Sequence, residues 1–395
     1  MQATRSCVLL ACGFAAGCGG GSDNNLTGGV DSAVAEDTGS TDAGSNGDTG
    51  AAQDSGAPDS GPMPRTDASS PPPDGGATGF VQARGTSLVL AGQPFRFLGL
   101  NRYPLAGGPQ AASCTLSTNA TTYASLLYST LSGMSGLGAT VARFWAFQNY
   151  AGPSGTDYTE FDQVVATAKK YGIRLIFTLE NEWTACSQPS TGQKDAAWYQ
   201  GGYKSPYGNY PLSMPAYVMG LVAHFKNEPQ ILMWQLMNEA ESTDPTALRQ
   251  FAIDLATQIK AVDSNHLVNV GTLACGQNGT TGFDYQTLHA DPHIDLLEAH
   301  DYGHDSTAMP SCITTDFQVA NTLNKPFFIG EAGISITTTT MPTRATEMDA
   351  KIKAAASAPF PGWAMWAYGT GQYDVYYPGD SDPLVQVLQT DSRLF

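Results

Sequence analysis

Two glutamates stand where apolar runs end. Glu239 closes Ile231-Leu232-Met233-Trp234-Gln235-Leu236-Met237-Asn238, and Glu331 closes Pro326-Phe327-Phe328-Ile329-Gly330. Two carboxyl groups at strand ends in one chain are the minimum equipment for splitting a glycosidic bond, one as proton donor and one as nucleophile. That chemistry requires a scaffold able to bring them together.

From residue 79 onward, short β-rich runs alternate with longer helical stretches. Ser87-Leu88-Val89-Leu90 and Pro94-Phe95-Arg96-Phe97, joined through Ala91-Gly92-Gln93, predict an N-terminal β-hairpin. Strands are expected at 97–101, 139–145, 173–179, 231–237, 267–271, 294–299, 326–330 and 362–367. Helices are expected near 120–136, 158–171, 213–226, 245–262, 284–289, 314–323, 343–357 and 383–390. Within 158–171, for instance, Phe161, Val164, Val165 and Ala168 fall on one helical stripe. Eight strands alternating with helices predict an α/β protein, a (β/α)8 TIM barrel occupying residues 79–395. An open doubly wound sheet would want a Gly-rich phosphate loop after its first strand, and Gly99-Leu100-Asn101-Arg102-Tyr103 is not one.

In such a barrel, chemistry sits at the C-terminal ends of the strands. The residues expected there are polar or aromatic: Asn101 and Tyr103, then Arg143, Trp145 and Phe147, then Glu180, Asn181 and Trp183. Asn238 and Glu239 follow, with His300 and Tyr302, Glu331, and finally Trp366 and Tyr368. A purely structural protein has no reason to load one rim in this way. Asn227-Glu228-Pro229 also carries an Asn-Glu pair, but it precedes its strand and belongs to the opposite end. Glu298 falls inside a strand two residues before His300, and a structural role is expected for it.

The ordered combination resembles glycoside hydrolase family 5, a clan A family of retaining hydrolases, over the whole of 79–395. The resemblance rests on Asn238-Glu239, Glu331, Arg143, His300-Asp301-Tyr302 and Trp366. Within the family the chain looks most like the β-mannanases, through Gly99-Leu100-Asn101-Arg102-Tyr103, Ala142-Arg143-Phe144-Trp145-Ala146-Phe147 and Leu179-Glu180-Asn181-Glu182-Trp183. The cellulase branches usually carry a histidine after the third strand, and none lies between Lys170 and Pro211. Arg102 and Glu182 depart from the asparagines that mannanases often have.

The resemblance implies Glu239 as general acid/base, with a raised pKa, and Glu331 as nucleophile, kept ionised by Arg143 and Tyr302. It also implies that Asn238 bonds the 2-hydroxyl of the reacting sugar, that His300 lines the site beside the acid/base, and that Trp366 floors the central subsite. Asn101, Trp145, Asn181 and Trp183 complete the expected substrate-binding set. The implied partner is a β-linked polysaccharide, mannan or a relative, cut internally by a monomeric enzyme. Other β-glycans, exo-action on mannosides, and non-catalytic glycan binding are the alternatives. The segment 183–211, with Trp183, Trp198, Tyr199, Tyr203, Tyr207 and Tyr210, either walls the cleft with sugar platforms or forms a small aromatic core of its own.

Composition sets the rest of the frame. Residues 1–18 place Arg5 before an apolar run of about ten residues, too short to span a bilayer and shaped like an export signal. Ala15-Ala16-Gly17-Cys18 resembles a bacterial lipoprotein box, with Cys18 the lipidated residue. An exported protein of the bacterial cell envelope, or one freely secreted, is therefore expected. Residues 19–78 are almost all Gly, Ser, Asp, Thr, Ala, Asn and Pro and should form a disordered spacer. Residues 1–78 carry ten acids against Arg5 and Arg65, −8 of the chain's −17, leaving −9 for the rest. An acidic domain without a basic stripe argues against nucleic acid.

Cys114, Cys186, Cys275 and Cys312 suggest two disulfides in an exported protein, with three possible pairings. Cys275–Cys312 and Cys114–Cys186 are favoured, because a barrel would put those pairs on nearby loops. No CxxC or HExxH spacing supports a metal, and no cofactor is expected.

Overall fold

The computed structural model describes residues 79–107, 114, 120–188, 193–303, 309–379 and 381–395. The expected export signal, the Cys18 lipidation site and the 19–78 spacer lie outside these residues. Among the described residues no helix is long and apolar enough to cross a membrane.

The chain opens with β1 (Val81–Arg84), β2 (Ser87–Leu90) and β3 (Gln93–Phe95), which pair antiparallel in the order β1-β2-β3. The expected hairpin is present, widened by β1, whose alternating Val81-Gln82-Ala83-Arg84 is too short and too weakly β-forming to read alone. Val81 and Leu88 turn inward and pack with Phe97, Val141, Ile176 and Phe328. The small sheet thus closes the N-terminal mouth of the barrel.

Eight parallel strands build that barrel: β4 (Phe97–Asn101), β5 (Val141–Trp145), β6 (Arg174–Thr178), β7 (Ile231–Gln235), β8 (Leu267–Asn269), β9 (Leu297–Asp301), β10 (Phe327–Ala332) and β11 (Gly362–Met365). Their order is β8-β7-β6-β5-β4-β11-β10-β9. The ends meet through a parallel bridge between Asn269 and Leu296, so the barrel is nearly closed. Each strand is buried along its whole length, as expected where side chains fill the inside and helices cover the outside.

The helices, which also include α1 (Ala120–Gly136), α3 (Ala196–Gln200) and α6 (Gly282–His289), form for legible reasons. In α2 (Thr159–Lys170) the buried stripe is Phe161, Val164, Val165 and Ala168, with Glu160 and Asp162 in the first turn and Lys169 and Lys170 in the last, matching the helix dipole. In α4 (Met214–Phe225) Ser213 caps the start by accepting from the Ala216 N–H. Asp244 does the same for α5 (Pro245–Val262) and Thr340 for α8 (Met341–Ser357), each helix carrying Pro in its first turn.

Most strands fall within their expected bounds, and two depart in ways that bear on the site. The sixth was expected at 294–299 and runs instead from Leu297 to Asp301. Glu298, His300 and Asp301 look unlike strand residues, but each has a partner that makes burial tolerable. Alternation along β9 sends Glu298 and His300 into the barrel and Asp301 outward, where Lys351 of α8 meets it at 2.8 Å. Glu331 likewise lies within β10 and not beyond its end. Register with β9 shifts between Ile329 and Glu331, a bulge that brings Glu331 opposite His300.

Candidate active site

At the C-terminal end of the barrel, β7 runs on through Leu236-Met237-Asn238 and then turns sharply at Glu239. The Glu239 backbone sits at φ 55°, a left-handed conformation that a non-glycine residue rarely adopts. It is pinned on both sides: Asn238 N–H donates to Glu180 O at 2.7 Å, and Ala240 N–H to Gly271 O at 3.0 Å. Gly271, itself at φ 81°, permits the approach, since a Cβ there would lie 1.8 Å from Met237 O.

Glu239 and Glu331 come together across the barrel. Their carboxylates and the His300 ring each offer an atom within 4.8 Å of the other two. Every carboxylate oxygen of the pair already has a protein donor. Glu239 Oε1 meets His300 Nδ1 at 2.8 Å, and Glu239 Oε2 accepts from Trp183 Nε1 at 2.5 Å. Glu331 Oε1 accepts from Arg143 Nη1 at 2.5 Å, and Oε2 from the Tyr302 hydroxyl at 2.5 Å. These three groups could in principle ligate a cation, but Arg143 already places a positive charge against Glu331.

Arg143 is the hub. Its Nε donates to Gln235 at 2.6 Å, Nη1 also to Asn101 Oδ1 at 2.9 Å, and Nη2 to Asn238 Oδ1 at 2.7 Å. Asn238 Nδ2 donates in turn to Asn181 Oδ1 at 2.9 Å, which leaves one amide hydrogen of Asn238 for a ligand.

Two residues expected to bind substrate stand one layer further back. Asn101 spends its amide on Gly330 O and Met365 O, and its carbonyl on Arg143. Asn181 donates to Ala185 O and accepts from Asn238. Asn101 is a strut for the residues in front of it, its amide and carbonyl both taken by protein, whereas Asn181 keeps one amide hydrogen beyond its bond to Ala185. Trp145 is also set back: at 1% exposure it packs behind Tyr103, ring centroids 4.5 Å apart. The aromatic surface is instead Tyr103 with Trp366, whose rings lie 6.0 Å apart and nearly parallel. The peptide between Trp366 and Ala367 is cis. Tyr373, which meets Tyr302 edge to face at 5.7 Å, escaped sequence reasoning because nothing local distinguishes it from its loop neighbours.

The segment after β6 resolves into the aromatic-core alternative. Trp198, Tyr199 and Tyr203 are buried and pack on Phe251 of α5, and Tyr207 gives its hydroxyl to Glu180 at 2.5 Å. Among the described residues of this segment, only Trp183 reaches the carboxylate pair. Cys114–Cys186 ties this segment to the loop after β4, and Cys275–Cys312 ties the loop after β8 to α7 (Ser311–Leu323), with Cα separations of 4.8 and 5.1 Å. Glu228 pairs with Lys169 at 2.6 Å at the other end of the barrel, far from this chemistry.

The electrostatics depart from one expectation. Burial is the largest influence on Glu239 and pushes its carboxyl up, but the His300 hydrogen bond and charge, Trp183 and Arg143 outweigh it and hold it below the ordinary value. Burial raises Glu331, with Glu239 adding to that push and His300, Arg143 and Tyr302 opposing it. Burial also pulls His300 down, yet Glu331, Glu239 and Glu298 around it prevail and lift it to about 10. Surrounded by carboxylates, the imidazole of His300 therefore holds a proton more tightly than an ordinary histidine.

Comparison with known proteins adds to this geometry. A family model described as Cellulase (glycosyl hydrolase family 5) matches residues 118–372. Mannan endo-1,4-beta-mannosidase 1 of Oryza sativa subsp. japonica is 27% identical over 316 residues, covering 66% of this chain and 70% of that protein. Mannan endo-1,4-beta-mannosidase 1 of Arabidopsis thaliana is 28% identical over 265 residues, covering 57% of this chain and 61% of its own length. In fold, the chain resembles the endo-1,4-beta-mannanase of Rhizomucor miehei, with TM-score 0.60, 21% identity, and coverage of 80% of this chain and 98% of that one.

Proposed function

Because the chain belongs to glycosyl hydrolase family 5, and is a glycosidase by that membership, we propose that it is a retaining endo-β-1,4-mannanase. The observation that carries the mechanism is the close approach of Glu239 and Glu331, within 4.8 Å between facing atoms. Retaining glycosidases hold their carboxyl groups about 5–5.5 Å apart, whereas inverting ones leave about 6.5–9.5 Å for a water.

In the first half-reaction Glu331 attacks the anomeric carbon while Glu239 protonates the departing glycosidic oxygen, so the C–O bond to the leaving chain breaks as the glycosyl–enzyme bond forms. In the second, Glu239 takes a proton from water, whose oxygen displaces Glu331. Arg143 and Tyr302 hold the nucleophile as a carboxylate. The remaining amide hydrogen of Asn238 faces the sugar's 2-hydroxyl, and Tyr103 with Trp366 offers ring faces to pyranose C–H bonds.

Mannan is favoured by the activities that the matched relatives are named for. A β-glucan is the second reading, favoured by the cellulase description of the family model. Export belongs to the same proposal, supported by the two disulfides, which need an oxidising compartment, and anchoring through Cys18 rests on the Ala15-Ala16-Gly17-Cys18 sequence alone.

The test is reducing-end release from mannan, glucomannan, cellulose and xylan by the whole protein, with Glu331→Ala alongside. Mannan hydrolysis that disappears in the variant supports the assignment. Activity on cellulose alone keeps the mechanism and discards the substrate. A folded protein that binds mannan and cleaves none of the four discards the enzyme.

A further inference from the structure

We propose that Glu298, a buried carboxylate that does not touch the cleft, is a positioning residue that keeps a proton available to Glu239, acting through His300. The inference rests on Glu239 being the acid/base.

His300 Nδ1 lies 2.8 Å from Glu239 Oε1, and its Nε2 lies 3.1 Å from Glu298 Oε1. A carboxylate only accepts, and a neutral imidazole carries a single N–H. Two N···O links need two hydrogens. The row Glu239–His300–Glu298 therefore holds one proton more than a neutral histidine can supply. Either the ring is an imidazolium between two carboxylates, or it is neutral with a carboxylic acid at one end. Moving the proton along the 2.8 Å link converts the first form into protonated Glu239 with His300 donating from Nε2 to Glu298. The net charge of the row is unchanged by that shift, so it needs no counter-ion from solvent. Without a carboxylate at 298, the ring could rest neutral with Nε2 as a bare acceptor, and the spare proton would be lost.

The surroundings fit Glu298 to this task. Its Oε2 accepts from Gln235 Nε2 at 2.5 Å, and Gln235 is itself oriented by Arg143. Its main-chain carbonyl accepts from Thr272 at 2.9 Å and Tyr285 at 2.8 Å. Gly330 on β10 leaves the space, since a Cβ there would lie 1.5 Å from Glu298 Oε1. Among the described residues, the charged groups facing the row are Arg143 from β5 and Glu331 from β10, with Glu241 next to its Glu239 end. Tyr302 and Tyr285 are the neutral titratable neighbours, and the Asp301–Lys351 pair lies on the opposite face of β9. Glu331 Oε2 stands 3.5 Å from Nδ1, farther than Glu239. The high proton affinity of His300 among these carboxylates agrees with the count.

Two readouts on the whole protein test this. Imidazole ¹⁵N NMR, with the His300 signals assigned by their loss in His300→Asn, is expected to show both ring nitrogens protonated beyond about pH 8 in the native protein. In Glu298→Gln that titration and the basic limb of kcat/KM on mannan are expected to move to lower pH together, by about one unit or more. Hydrolysis of an aryl mannoside whose leaving group needs no proton is expected to fall much less than mannan hydrolysis. A native His300 that titrates at its ordinary pH overturns the proposal, and so does a folded Glu298→Gln protein whose titration is unmoved. The NMR readout needs no turnover. A protein that hydrolysed nothing would remove the enzymatic reading while leaving the proton row to be judged separately, and the native titration decides even where Glu298→Gln does not fold.

Discussion

The guanidinium of Arg143 meets the carboxylate of Glu331 at 2.5 Å, with the two side chains only 1% and 3% exposed. The nitrogen that meets Glu331 also reaches Asn101, and the other two reach Gln235 and Asn238, so one cation on β5 sets the positions of groups carried by β4, by β7 with the residues just after it, and by β10.

Breaking that pair should cost both stability and rate. Removing one partner of a buried ion pair typically costs about 3–5 kcal/mol, because the other charge stays buried without compensation. Arg143→Met is expected to lower unfolding free energy by that order in urea and to reduce kcat/KM on mannan by at least about 10²-fold. Arg143→Lys should recover part of the stability and little of the rate, since a single compact ammonium lacks the planar fork whose three nitrogens reach Gln235, Glu331 and Asn238.

The two carboxylates should separate by rescue. Glu331→Ala with azide is expected to yield a glycosyl azide of inverted configuration, the small anion replacing the nucleophile. Glu239→Ala with azide should yield the retained product from a substrate with a good leaving group. Each variant alone should lose about 10²–10⁴-fold or more on mannan. Product configuration by NMR is the check, and the same anomer from both variants would contradict the assignment.

The disulfides should be equal in stability and unequal in activity. They close loops of 72 and 37 residues, for which a chain-entropy account gives about 4 kcal/mol each. Cys186 lies three residues after Trp183, whose indole donates to Glu239. Cys114→Ser/Cys186→Ser should therefore lower kcat/KM more than Cys275→Ser/Cys312→Ser at matched loss of thermal midpoint.

Stability should fall with rising pH through one identifiable acid. Glu182 is pushed to about 8, chiefly by burial, with the Tyr199 hydroxyl and Lys194 pulling the other way. Between its unfolded value of 4.5 and about 8 the native state holds a proton that the unfolded chain has released. This contribution is complete below the lower value and lost as pH rises through the upper one. In urea melts across that window, Glu182→Gln is expected to flatten the slope relative to the native protein, and parallel slopes would remove Glu182 as the cause.

Much of the barrel is legible in the chain, because its strands and helices carry their signals locally. The stripe of α2 and the apolar runs ending near Asn238 and Glu331 need no tertiary knowledge to be read. The same runs single out the two carboxylates, since an acid at the end of a buried strand has little structural excuse. Three matters were decided only by the fold. Whether a polar side chain meets ligand or protein depends on what the neighbouring strands bring, which is why Asn101 became a strut. The limits of β9 depended on partners far away in sequence that make buried charge tolerable, Lys351 for Asp301 and Gln235 for Glu298. The raised proton affinity of His300 comes from the carboxylates that β9, β10 and the end of β7 bring around it, because electrostatic energy follows distance in space and not along the chain.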